Sequence, residues 1–89
     1  MTKPYTWNTE KDDWLRRERG IKFTDIVNAI KKGKILADIE NPRTKYNNQK
    51  MYIVELSGYA IIVPYVEDEN KIFLKTAFPS RKAKQKFLT

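Results

Sequence analysis

The chain has 89 residues, 40% of them hydrophobic and 12% aromatic, which supplies one small core and is too apolar for a disordered tail. It contains no cysteine and no histidine, which excludes disulfide staples, thiolate nucleophiles, cysteine-based zinc sites and imidazole acid–base chemistry. Eighteen Lys and Arg face eleven Asp and Glu, and the resulting net charge of +7 points to a polyanion as partner.

Pro4 to Trp7 is short and aromatic, suited to a brief edge strand or an arm packed on the core. Asn8 and Thr9 are good N-cap residues, Glu10, Asp12 and Asp13 suit a helix start, and Arg16, Arg17 and Arg19 suit its end before Gly20. Asp12 with Arg16 and Asp13 with Arg17 stand four apart, so these arginines are read as helix-stabilising partners with no active role. A second helix follows, with Thr24 as the expected N-cap, Ile26, Val27 and Ile30 on one face and Gly33 as terminator. Trp14, Leu15, Ile21 and Phe23 are then apolar contacts of this helical pair.

Lys34 to Glu40 is a weak strand ending at Asn41-Pro42, and 41–50 is a polar loop without periodicity. Met51 to Ser57 and Tyr59 to Val66 read as a hairpin around Ser57-Gly58, with Pro64 predicting a bulge or an interrupted ladder. Residues 67–70 make the next turn. Lys71 to Phe78 is one more strand, with Ile72, Leu74, Thr76 and Phe78 on one face and Lys71, Phe73, Lys75 and Ala77 on the other. Ser80 can cap a short basic helix from Arg81 to Phe87. The expected fold is α+β: two N-terminal helices packed on an antiparallel sheet of three to five strands, with a short basic C-terminal helix. With helices on one sheet face only, the other would expose several of Met51, Ile53, Tyr65 and Phe73, an apolar set that predicts a partner or a dimer.

The charge is unevenly placed. Residues up to Asn70 hold twelve bases and eleven acids, whereas Lys71, Lys75, Arg81, Lys82, Lys84 and Lys86 follow with no acid among them. No apolar run is long enough to span a bilayer, and Met1 to Glu10 lacks the apolar stretch of a signal peptide, so a single cytoplasmic domain over 1–89 with no membrane partner is expected.

Three segments carry a resemblance: Tyr5-Thr6-Trp7-Asn8-Thr9-Glu10-Lys11, Arg19-Gly20-Ile21-Lys22-Phe23, and Phe78-Pro79-Ser80-Arg81-Lys82-Ala83. In order and spacing they resemble the BrnT-type toxins of bacterial type II toxin–antitoxin pairs. Many such toxins carry a histidine where this chain has Arg19. The resemblance implies a RelE-like ribonuclease fold, toxic RNA cleavage that inhibits translation and growth, and a neutralising ribbon-helix-helix antitoxin. It also implies a homodimer or a toxin–antitoxin heterotetramer.

Cleaving RNA through its own 2′-hydroxyl requires a proton acceptor, charge stabilisation on the phosphoryl oxygens and a proton for the leaving oxygen. Arg81, Lys82 and Lys75 are the candidates for charge stabilisation, Arg81 because its guanidinium can grip a phosphate in two places. Glu55, the lone acid in an apolar strand, is the catalytic candidate for proton transfer, with Tyr46, Tyr52 and Tyr65 as further proton donors or acceptors. Arg43, Lys45, Tyr46 and Lys50 suit backbone contacts plus one stacked base, and Lys71 and Lys84 extend that nucleic-acid-binding set. No metal or cofactor is called for, so the enzyme expected is a metal-independent endoribonuclease. The alternative is a non-catalytic domain that binds nucleic acid or protein.

Overall fold

A computed structural model describes residues 3–40 and 49–88. The order of elements is β1 (Tyr5–Trp7), α1 (Thr9–Arg19), α2 (Phe23–Lys31), β2 (Ile35–Glu40), β3 (Gln49–Leu56), β4 (Tyr59–Glu67), β5 (Ile72–Leu74), β6 (Phe78–Pro79) and α3 (Arg81–Phe87). No helix among the described residues is long and apolar enough to cross a membrane.

The α+β expectation holds, and the sheet differs in detail. It has six strands in the order β1-β5-β4-β3-β2, with β6 paired to β4, and it is mixed because β1 runs parallel to β5. The parallel pairing was not legible because it joins two three-residue strands from opposite ends of the chain, whose register is set by packing rather than by a turn.

Local chemistry sets the helix ends. The Asn8 carboxamide oxygen accepts from Lys11 N at 3.1 Å, and Gly20 closes α1 in the left-handed region at φ 65°, with its N–H bonded to the Leu15 carbonyl. Helix α2 starts at Phe23 rather than after Thr24, because the Asp12 carboxylate of α1 accepts from Phe23 N at 3.0 Å. The cap comes from another helix, which spacing within 20–24 cannot reveal. Ser80 caps α3 by accepting from Ala83 N at 3.1 Å.

The β3–β4 hairpin turns on Ser57 (φ 55°) and Gly58 (φ 78°), and this pair of positive φ values matches the strand twist and fixes Leu56 opposite Tyr59. Pro64 causes no bulge: it stands in register opposite Met51. The second edge of β4 pairs with β6 at Ile61 and Ile62 and with β5 from Tyr65 onward, so Pro64 falls where that edge changes partner. The register shift lies instead in β2, between Ile35 and Ala37.

Helices α1 and α2 cover one sheet face, burying Leu15, Phe23 and Ile26 against Tyr52, Val54, Ile61, Val63, Tyr65 and Leu74. The strand expected from Lys71 to Phe78 breaks after Leu74, and Ala77, assigned by alternation to the opposite face, is fully buried in this main core. The second face is not open throughout. Ala83 of α3 packs on Ile53 and Ala60, with Leu36, Ile62, Phe87 and Leu88 around them, so Ile53 is buried rather than exposed. Tyr65, also expected on the open face, is 1% exposed and belongs to the main core. Met51 and Phe73 remain half-buried beyond the reach of α3.

Candidate functional site

Asn8, Glu10, Lys11, Trp14 and Lys75 line a shallow groove, widely open to solvent, between the first turns of α1 and the connection from β5 to β6. Lys11 and Trp14 are three apart on α1 and therefore share a face. The Lys11 ammonium lies 4.4 Å from the centroid of the Trp14 ring, and the Arg19 guanidinium carbon 4.7 Å from it. Arg19 also donates from Nη1 to the Ala77 carbonyl at 2.8 Å, which ties the end of α1 to the segment just after Lys75. Beside Lys75, the Thr76 hydroxyl is buried with no hydrogen-bond partner among the described residues.

Lys11 and Arg19, eight apart on α1, thus meet at one indole, and Ala77, distant in sequence, is tied to them through Arg19; Lys11 lies in the first segment of the resemblance, Arg19 in the second, and Ala77 immediately before the third. Trp14 packs against the core as expected, yet stays half-buried, so its ring both anchors α1 and forms part of the surface. Lys11, Trp14, Arg19 and Glu10 were missed as a group in the sequence because each has a sufficient local role on a helix. The signal available was the i, i+3 placement of a lysine and a tryptophan, which gains meaning only once Lys75 is beside them.

Arg19 is therefore not a helix partner of the kind expected of the α1 arginines. Arg16 bonds Asp13 and lies 3.9 Å from Asp12, so the Asp13 carboxylate is engaged by Arg16 rather than by Arg17.

The remaining candidates are dispersed. Lys75 is in the groove. Glu55 is half-buried in a separate cleft of about 420 Å3 with Asp25, Asn28, Lys32, Lys34 and Ser57 near it. Arg81, Lys82 and Lys84 are exposed on α3, and the Lys84 ammonium stands 4.9 Å from the Tyr59 ring centroid. Lys71 is exposed at the end of the β4–β5 turn, where its N–H and that of Asn70 donate to the Asp68 carboxylate. Those two backbone donors hold the Asp68 carboxyl below its ordinary value. Lys50 borders a cleft with Lys3, Glu67, Asp68 and Glu69, an acidic corner unlike the basic surroundings expected for it. Arg43, Lys45 and Tyr46 lie outside the described residues.

Tyr52 and Tyr65 stack with centroids 4.0 Å apart in the main core. Burial, followed by the neighbouring Tyr5 for Tyr52 and the hydrogen bond to Asp38 for Tyr65, pushes both phenols well above their ordinary range. Neither is poised to give up a proton at neutral pH. No cluster of three or more acidic side chains able to hold a metal occurs among the described residues.

The family described as Domain of unknown function (DUF4258) matches residues 16–79, and the chain belongs to that family. The matched stretch includes Arg19 and Lys75 but ends before α3 and starts after Trp14. The comparisons with curated proteins and with solved structures return no match.

Proposed function

We propose that this protein is the RNA-cleaving toxin of a toxin–antitoxin pair and that the Trp14–Lys75 groove is where it engages RNA. The observation that carries this reading is the convergence of Lys11, Arg19 and the Lys75 connection on Trp14: Lys11 and Arg19 belong to two of the segments that resemble BrnT-type toxins, and the Lys75 connection leads into the third. A lysine pair around an aromatic ring suits a phosphodiester flanked by a base.

The chemistry proposed uses only groups in or next to the groove. The 2′-hydroxyl oxygen attacks the adjacent phosphorus while Glu10 accepts its proton, and the 5′-oxygen departs with a proton from a lysine or from water. The products are a 2′,3′-cyclic phosphate and a 5′-hydroxyl. Lys75 and Lys11 stabilise the charge that accumulates on the phosphoryl oxygens, a role in which one well-placed donor is worth about 100-fold or more in rate. Glu10 takes the proton-transfer role first given to Glu55, since Glu10 shares the groove with Lys75 and Glu55 lines a different cleft. Arg81, Lys82 and Lys84 are exposed on α3, which packs on the second sheet face, and offer an RNA backbone further contacts outside the groove.

A ribbon-helix-helix antitoxin is the partner proposed, in a toxin–antitoxin heterotetramer or on a homodimer of this chain. The apolar strip that α3 leaves uncovered, Ile39 beside Met51 and Val66 beside Phe73, offers such a partner its contact area. Purified protein incubated with RNA, alone and with translating ribosomes, tests the enzyme reading, together with growth after expression without a partner. Cleavage and arrested growth are expected. Uncut RNA in both assays with normal growth overturns the reading and leaves salt-dependent binding as the protein's activity.

A further inference from the structure

We propose that the Trp14 groove is a single-stranded RNA subsite in which one unpaired base stacks on the indole of Trp14, displacing the Lys11 ammonium onto a neighbouring phosphate. This rests on the reading of the groove as an RNA site and adds the class of RNA and the group that recognises it.

Of the three rings that carry a basic side chain among the described residues, Tyr59 and Phe87 carry one cation each, Lys84 and Lys86, whereas Trp14 carries two, Lys11 and Arg19. Their roles differ. Arg19 is fixed by its bond to the Ala77 carbonyl, so its guanidinium is a built part of the site. Among the described residues the Lys11 side chain makes no hydrogen bond or ion pair besides its contact with the ring, so its ammonium can be exchanged for a flat apolar surface at small cost. A contact of this kind at a half-buried ring is worth about 1 kcal/mol, whereas a base stacked on an aromatic side chain is worth about 1–3 kcal/mol, so the base can take the ring.

Lys11 and Lys75 then flank the stacked base, a spacing of positive charge and ring that reads any base through its π-face. A duplex cannot present a base in this way without unpairing it. Single strands, bulges and loops are therefore the ligands, and duplex RNA of equal length and charge is the discriminating control.

The test uses tryptophan emission. Trp7 stacks on Phe23 at 5.6 Å and lines another cleft, so a Trp7→Phe variant leaves Trp14 as the sole reporter while keeping a ring against Phe23. Saturable quenching by a single-stranded oligoribonucleotide is expected, with about 10-fold weaker binding of the matching duplex. Trp14→Leu should weaken single-strand binding by about 10-fold with little change for the duplex. Trp14→Phe, which retains a ring on the core, should lose less and melt as the parent does.

Bound RNA that leaves Trp14 emission unchanged, or equal affinity of Trp14→Leu and parent for the single strand, overturns the stacking proposal while leaving an RNA-acting toxin standing. Quenching without cleavage does the reverse. If no RNA binds at all, both readings fall.

Discussion

The buried phenol of Tyr65 donates to a carboxylate oxygen of Asp38 at 2.5 Å, reaching from β4 across β3 to β2 with its ring stacked on Tyr52. The bond joins a residue that is 1% exposed to one that is exposed, so its two ends have different alternatives. Without the phenol, Asp38 returns to water. Without Asp38, the phenol stays buried and loses its carboxylate acceptor, with only the Tyr52 hydroxyl as a neighbour to bond. Asp38→Ala should therefore cost more than Tyr65→Phe, about 2 kcal/mol against about 1 kcal/mol, in urea unfolding at neutral pH. Equal losses would show that the bond matters only through packing.

The same pair sets the response to alkali. Both Tyr52 and Tyr65 hold their protons more tightly when folded than when unfolded, where a phenol ionises at about 10. A raised folded value contributes stability that is fully present below the unfolded value and is lost as pH rises toward the folded one. Stability should therefore be flat below about pH 9 and fall above pH 10, by at most about 1.4 kcal/mol per pH unit for each such phenol. Unfolding midpoints taken through this range should show a shallower fall for Tyr65→Phe than for the parent. Parallel curves would mean that Tyr65 ionises as easily in the fold as outside it.

The α2 cap gives a test of how far local reading reaches. Asp12→Ala removes the acceptor of Phe23 N–H and should cost about 1 kcal/mol, whereas Thr24→Ala, at the position that spacing favours as cap, should cost only a few tenths. A larger loss at Thr24 in thermal unfolding would reverse the assignment. What could be read from the chain here were elements whose determinants lie within a few residues: the Asn8 and Ser80 caps, the Gly20 stop and the Ser57-Gly58 hairpin. What could not be read were contacts that depend on which distant segments become neighbours. The parallel β1–β5 pair, the burial of Ala77, the cap from Asp12 and the meeting of Lys11, Arg19 and Lys75 at Trp14 all belong to that group. Lys75 is the one charge-stabilising candidate that lies in the groove, although the strand alternation that points to it breaks after Leu74.

Charge removal should separate the groove from the helix arginines. Lys75→Ala should lower the salt dependence of RNA binding by about 0.7 in the slope of log affinity on log salt, the effect of one lost phosphate contact on a single strand. Arg16→Ala should leave that slope unchanged, since Arg16 is engaged with Asp13 and Asp12. Charge reversal at Arg81 and Lys82 should weaken RNA binding, and the same change at Arg16 and Arg17 should not. Equal slopes for Lys75→Ala and Arg16→Ala would show that binding follows total charge and not this groove.

Thr76, next to the groove residue Lys75, gives a further test of stability. Its hydroxyl is buried and unpartnered among the described residues, next to Lys75 on one side and to Ala77, whose carbonyl Arg19 holds, on the other. A buried hydroxyl without a partner is destabilising relative to a methyl group of the same shape, so Thr76→Val should raise stability by up to about 1 kcal/mol. Thr76→Val should therefore melt higher than the parent, while Thr76→Ser, which keeps the unpartnered hydroxyl, should show no gain. A valine variant that melts no higher would show that the hydroxyl finds a partner in solution.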